Sequence, residues 1–364
     1  MDRLYFLLGQ MTHLRYFIPL IHECINKGIK PYFLLYHSLK YNCPSAYEDY
    51  LNKICEHYKI DKIKLEDFNQ EGQTILCVEP KLFNQDRKHK NFIYALTSQF
   101  DYLHNYDFYQ KQVKKIIFPS KWFLENCKNF IGDHRVQTKW TEEKIKSSKN
   151  VFLGSPKYDT TLDFDKDHII KKYNLTKKSK VLFFFPAVSQ QNDMWITKKP
   201  RGLDYDEINN IYNMLRSLGF EVLVKSRRKH PIPKQCGGDR AFYDESWFPH
   251  TSSELIEVCD LVIMVDSTSI VECILQKTPF INIGLIDEKV RINAKNMTQP
   301  LLNYNFCESY EYLPKINQLK DKVKYLSSNN FNKEFDDVNE KYMFKIGSSS
   351  KKIINFIQTE QKND

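Results

Sequence analysis

Apolar residues recur along the chain as short runs of β-branched and aromatic side chains, separated by stretches where they return every three or four positions. The runs at 4–8, 31–36, 74–78 (TILCV) and 91–95 read as strands, and 14–26 (closed by Gly28) and 47–58 read as helices. VKKIIFPSKWFLENC (113–127) then gives a strand, a Pro-Ser turn and a helix. Strand and helix alternate without hairpin signals, the pattern of a parallel α/β domain. A second block opens near KNVFLGSPKYD (149–159), with strands expected at 181–185 (VLFFF), 221–225 (EVLVK), 261–265 and 279–283 and a long helix at about 205–218. The polar segment 159–176 is the candidate linker. A closing helix, KKIINFIQ, follows GSSS (347–350), whose serines can cap it.

The densest signal lies at 252–284, where helix (254–259), strand, hydroxyl-rich turn (266–269), helix (270–276) and strand follow one another with short connections. That succession belongs to a doubly wound parallel sheet, in which ligands sit at the carboxyl ends of the strands. The predicted organisation is a domain over 1–150, a second over 151–346, and a terminal helix and tail over 347–364.

Composition narrows the class. With 364 residues the chain can bury two ordinary cores, and 41% hydrophobic and 14% aromatic residues exclude a disordered chain. The nine cysteines are scattered without a CxxC pair, so they read as small core residues in a reducing compartment. No stretch has the 18 or so apolar residues of a membrane span, and LYFLLG reads as a first strand and not as a signal-peptide core. The net charge of +9 is spread along the chain. It suits a polyanionic acceptor or an anionic membrane surface as well as plain solubility. No nucleic-acid motif is present. The expected location is cytoplasmic, with peripheral membrane association consistent with the charge.

Four places carry candidate chemistry. Ser267, Thr268 and Ser269 follow a buried strand and open a helix, offering backbone N–H groups and hydroxyls to a phosphate or diphosphate, while Glu272 is placed to reach a ribose or sugar hydroxyl. The competing explanation is a capping box between Ser269 and Glu272. After the strand at 221–225 comes a basic loop, where Lys225, Arg227, Arg228, Lys229 and His230 can neutralise phosphates unless the run is only a solvated loop. GSPKYD (154–159) and the segment after VLFFF, with Ser189, Gln190 and Gln191, would face the same cleft; plain loop chemistry explains them equally. In GQMTHLRYF (9–17), His13 lies at a helix start beyond the first strand, where an imidazole can serve as general base; Glu79 and Asp101 are rival bases. The DxD patterns at 163–165 and 204–206 fall in charged linker or helix-start sequence, and no metal site is expected. No GxxxxGK[ST], GxGxxG or GxSxG sequence occurs.

Taken in order, GSPKYD, the loop ending in KHP, and CDLVIMVDSTSIVECILQKTPFINIG resemble the second domain of GT-B fold transferases. The last is similar to the pattern of CDP-glycerol glycerophosphotransferases and related capsule or teichoic-acid enzymes, and GSSSKKIINFI is similar to that group's terminal helix. The resemblance covers most of 149–357. It implies two Rossmann-like domains facing a cleft, with an activated donor bound mainly by the second and the acceptor by the first. Carried over, Ser267, Thr268 and Ser269 would hold donor phosphate, Glu272 a donor hydroxyl, and His230 a phosphate. The family's His-Pro follows the strand's last lysine by two residues, whereas here Arg227, Arg228 and Lys229 intervene. The family's His-Gly after a middle strand has no counterpart in IYALTSQFDYL, which moves the acceptor base to His13.

The implied activity is transfer of a sugar from a nucleotide-activated donor to a glycan or lipid-linked acceptor, without metal or resident cofactor. A CDP-alditol phosphotransferase, a UDP-sugar 2-epimerase-like enzyme and a non-catalytic nucleotide-sugar-binding protein are the alternatives.

Overall fold

The strand Arg3–Leu8 (β1) is buried at every position after Arg3, and both of its neighbours run parallel to it. The computed structural model describes residues 1–36, 45–78, 91–96, 106, 110–125, 141–159, 164–185, 203–227, 232–265, 267, 269–283, 304–310, 312–342 and 347–362. Within these, the chain forms two compact units, Met1–Thr160 together with Tyr342–Asp364, and Thr161–Lys341.

In the first unit, β1 is joined by Lys30–Leu35 (β2), Asp61–Lys64 (β3), Thr74–Cys77 (β4), Phe92–Leu96 (β5), Lys115–Phe118 (β6) and Asn150–Phe152 (β7). They form one parallel sheet in the order β3-β2-β1-β4-β5-β6-β7. The chain therefore winds outward from β1 to one edge, then returns to the other side of β1 and winds to the opposite edge. The helix Leu14–Asn26 buries Phe17, Leu20, Ile21 and Cys24.

The second unit repeats the plan. Lys180–Phe184 (β8), Glu221–Lys225 (β9), Arg240–Phe242 (β10), Leu261–Met264 (β11), Phe280–Ile283 (β12) and Cys307–Tyr310 (β13) form a parallel sheet in the order β10-β9-β8-β11-β12-β13. Strands β11 and β12 are buried throughout, as parallel strands covered on both faces must be.

Three sequence expectations are corrected here. The run at 151–153 was expected to open the second block, yet β7 pairs with β6 as the last strand of the first sheet, so the chain divides ten residues later than the expected 150/151 boundary. The terminal helix, Ser349–Lys362, is part of the first unit and packs against Leu14–Asn26. Two of the GSSS serines, Ser349 and Ser350, do not cap it. The hydroxyls of Ser349 and Ser350 have no hydrogen-bond partner among the described residues. The helix start is satisfied by Asp159, whose carboxylate accepts from Ser349 N at 3.0 Å and Ser350 N at 2.7 Å. A carboxylate at a helix N-terminus meets both the unpaired amides and the positive end of the dipole, better than a hydroxyl does.

GSPKYD is the other half of that junction. Pro156–Tyr158 is a 3-10 turn packed on Leu14–Asn26, which delivers Asp159 to the terminal helix. Removing the carboxylate by Asp159→Ala is expected to cost about 1–2 kcal/mol and to speed amide exchange in the first turn of Ser349–Lys362. Unchanged exchange there would show that the cap is dispensable.

Candidate functional site

In a doubly wound sheet the chain leaves the two central strands in opposite directions, opening a crevice at their carboxyl ends. That switch point lies between β1 and β4 in the first sheet and between β8 and β11 in the second. In the sequence, several of the predicted site residues follow these four strands. His13 follows β1 and Glu79 follows β4; Ser189 and Gln190 follow β8; Ser267, Thr268 and Ser269 follow β11. Lys225 ends β9, the neighbour of β8. Glu79, Asp101, Ser189, Gln190, Gln191, Arg228, Lys229, His230 and Thr268 lie outside the described residues.

At β11, the strand Leu261–Met264 gives way to a turn in which Ser267 Oγ accepts from Ser269 N at 3.2 Å. The following helix, Ile270–Leu275, begins with Ser269 already in the helical region (φ −66, ψ −5) and with no side-chain capping bond. A capping hydroxyl reaches the N3 amide only from an extended N-cap backbone, so the S-x-x-E capping box does not form. Glu272 is 2% exposed, part of the second unit's core layer.

At β9, Lys225 is not a free cation. It is 2% exposed, and its ammonium donates to Asp244 Oδ1 at 2.7 Å and to the Ser226 carbonyl at 2.6 Å. His250 Nε2 lies 3.6 Å from the same carboxylate oxygen, while its Nδ1 accepts from Ser252 N at 3.2 Å and so caps the helix Thr251–Glu257. Burial alone would raise the Asp244 carboxyl. The His250 imidazole beside it and the charge on Lys225 outweigh it and hold Asp244 well below the usual carboxylate range. Arg227, two residues on, is exposed. Of the described basic residues in this loop, Arg227 is thus the one presented to solvent, whereas Lys225 is committed to Asp244.

At β1, the turn Met11–His13 leads into Leu14–Asn26. His13 is 2% exposed, its backbone N–H donates to the Gln10 carbonyl, and its ring meets Phe17 edge-on with centroids 6.1 Å apart. Gly9 N donates to Nδ1 at 3.4 Å.

Two of the DxD carboxylates cap helices. Asp165 caps Lys166–Lys172 by accepting from Asp167 N and His168 N, and Asp204 forms a capping box with Glu207 on Tyr205–Ser217. Among the described residues, no group of three or more His, Cys, Asp or Glu side chains is arranged to hold a metal ion. Nor is any described helix long and apolar enough to cross a membrane.

Solved structures match this arrangement of two parallel sheets over nearly the whole chain. The wall teichoic acid polymerase TagF aligns with a TM-score of 0.62 at 13% identity, covering 100% of this chain and 89% of that one. The fold is GT-B-like. S. aureus MnaA, solved with UDP, aligns at a TM-score of 0.57 and 13% identity over 100% of this chain and 97% of that one. The UDP-GlcNAc 2-epimerase of Methanocaldococcus jannaschii, solved with UDP-GlcNAc and UDP, aligns at 0.59 and 11% identity over 98% and 99%. No protein-family model matches the sequence, and no curated protein matches it. At these identities the GT-B-like chain shares a scaffold with its neighbours, and its chemistry has to be argued from its own residues.

The sequence reading passed over Asp244, His250 and Asp159. PHTSSEL (249–255) carried a usable cue, since a helix start preceded by a polar residue calls for a cap. Nothing in sequence spacing links Asp244 to Lys225, 19 residues away.

Proposed function

We propose that this GT-B-like chain is a glycosyltransferase that moves a sugar from a nucleotide-activated donor to a glycan or lipid-linked acceptor. The observation that supports the reading is that His13 follows β1 and that Ser267 and Ser269 follow β11, strands that border the switch points of the two sheets, where open α/β sheets take their ligands. The donor diphosphate sits at the Ser267–Ser269 turn after β11, with Arg227 and the following basic residues, Arg228 and His230, as its counter-charges. Ser189 and Gln190, after β8, hydrogen-bond the donor, and Glu272 stands behind the turn. Lys225 acts indirectly, through the buried ion pair that fixes the end of β9. On the acceptor side, the candidates are His13, which follows β1, and Glu79, which comes after β4 in the sequence. A base there takes the proton of the acceptor hydroxyl as the nucleotide diphosphate leaves, and N–H groups and guanidinium groups stabilise the charge that develops on the leaving group. No metal or resident cofactor has a part in this scheme.

The likeness to TagF favours a second reading, transfer of an alditol phosphate from a CDP-activated donor. The likeness to the M. jannaschii UDP-GlcNAc 2-epimerase favours a third, epimerisation of a UDP-sugar. A thermal-shift panel of UDP-, CDP-, GDP- and CMP-activated donors separates them. A bound donor at 100 times its Kd stabilises by about 2.7 kcal/mol, and one nucleotide class is expected to dominate. Ser267→Ala combined with Ser269→Ala is expected to abolish the shift while leaving the unliganded melting temperature within a degree or two. No shift with any donor would sink the transferase and the binding-protein readings together. A shift without turnover of donor would leave a nucleotide-sugar-binding protein.

A further inference from the structure

Arg15 is a half-buried cation to which the fold supplies no anion. Its Nε donates to the Thr12 carbonyl at 3.4 Å, and among the described residues no carboxylate or other acceptor meets its remaining N–H groups. The other half-buried arginine among the described residues, Arg240, is paired, with Nε 3.0 Å from Glu221 Oε1. A half-buried guanidinium has given up part of its water shell, and a carboxylate partner is the usual compensation. The place adds to the cost. Arg15 stands in the first turn of Leu14–Asn26, at the positive end of the helix dipole. That turn holds no acidic residue, and His13 provides no side-chain cap. An acidic or neutral residue at position 15 would serve the helix better, so helix formation does not account for the arginine. Its direction points to a ligand instead. Long helical side chains lean back towards the N-terminus, and the bond to the Thr12 carbonyl holds the guanidinium against the turn Met11–His13. That turn is the next element after β1, which borders the switch point of the first sheet. In the same stretch, Thr12 Oγ1 donates to Gln10 Oε1 at 3.4 Å, which leaves the Gln10 N–H groups as neutral donors.

We propose that Arg15 binds an oxyanion, a phosphate or carboxylate group of the acceptor substrate, through the two Nη nitrogens that the fold leaves unused. A guanidinium holds such a group in two parallel hydrogen bonds. The bound anion also offsets the positive end of the helix dipole, which Arg15 by itself aggravates. The acceptor is then an anionic molecule, and Arg15 selects it over a neutral one. That the oxyanion belongs to the acceptor rests on the transferase reading; that Arg15 holds an oxyanion does not.

Side-chain NMR on the full chain labelled with 15N-arginine tests the oxyanion site without any donor present. The Nε–H signal of Arg15 is assigned by its loss in Arg15→Gln and followed while sodium phosphate or sodium acetate replaces sodium chloride at constant ionic strength. The Arg15 signal is expected to shift and saturate with at least one of them, the tighter-binding anion naming the acceptor's group. A signal that stays in place, or drifts without saturating, would overturn the proposal. Arg15→Gln is expected to melt within about two degrees of the wild type, since its one bond to the fold is long. A fall of more than about 4 °C, beyond what a surface change produces in a unit of this size, would make the arginine a structural residue. The thermal-shift panel of activated donors, repeated on Arg15→Gln, identifies the source of the anion. An unchanged donor shift is expected. Its loss would assign the oxyanion to the donor diphosphate and overturn the acceptor assignment. If no donor shifts the wild type, the transferase reading fails and the acceptor assignment falls with it, while a saturating titration still establishes the oxyanion site.

Discussion

Asp244→Asn is expected to lower the stability of the second unit by about 3–5 kcal/mol, the usual cost of leaving one member of a buried ion pair without its partner. The side chains of Lys225 and Asp244 are 3% and 5% exposed and meet at 2.7 Å. Asparagine keeps the shape of aspartate and removes only the charge, so the variant isolates the electrostatic contribution. The ammonium at the end of β9 would then keep the Ser226 carbonyl but face no anion, and His250 would lose the carboxylate beside its Nε2. Urea unfolding followed by a probe in the second unit measures the loss; a change below about 0.5 kcal/mol, the range of ordinary surface substitutions, would show that the pair is worth little.

The pair also sets a pH dependence whose sign is fixed. The folded-state carboxyl of Asp244 titrates well below its unfolded value, so its stabilisation is fully present above the ordinary carboxylate range. It is lost progressively as the pH falls below about 4. Stability curves of the wild type and Asp244→Asn should therefore converge in acid and separate towards neutrality. A double variant, Lys225→Met with Asp244→Leu, is expected to recover much of the loss, because apolar replacement of both partners removes the uncompensated charge.

Gly154→Ala is the second large effect, expected at about 2–4 kcal/mol and confined to the docking of the terminal helix. Gly154 has φ +91, a conformation that costs an L-residue strain of its own. A methyl group there would overlap Ser349 Oγ and come within 3.0 Å of Ser349 Cβ. Ser349 is fully buried and anchored by its amide to Asp159, so it has no room to retreat. The helix Ser349–Lys362 must shift away from Leu14–Asn26, exposing Ile353, Ile354 and Ile357. Limited proteolysis and hydrogen exchange across 349–362 report this. Wild-type protection in Gly154→Ala would mean that the junction is looser than its geometry indicates. Asp159→Ala, which removes the cap without a clash, should produce a smaller version of the same change.

The strands that sequence patterning identified and those it passed over differ in a physical way. β1, β4, β8, β9, β11 and β12 lie inside their sheets, are covered on both faces and are dense in Leu, Ile, Val and Phe. Burial on both faces leaves a continuous apolar run, which is the signal that was read. β3 (DKIK), β10 (RAF) and β13 (CESY) were passed over. All three are edge strands, and edges carry polar and charged residues. β7 is also an edge; its apolar run was seen but assigned to the wrong sheet, because pairing with β6 depends on where the returning chain is laid down.

The candidate site divides along the same line. Where to expect it was legible in the sequence, because an apolar run followed by small polar residues marks a strand end wherever it occurs, and strand ends are where such sheets hold ligands. The chemical state of its residues was decided by tertiary structure. Lys225 reads as a phosphate-binding cation until Asp244 is found 2.7 Å away. GSPKYD and GSSS read as two separate loops until Asp159 meets the amides of Ser349 and Ser350, about 190 positions further along. Hydrophobic periodicity is local and survives in one dimension. Charge pairing and helix capping at a distance depend on which groups the fold brings within about 3 Å, and that information exists only once the chain is folded.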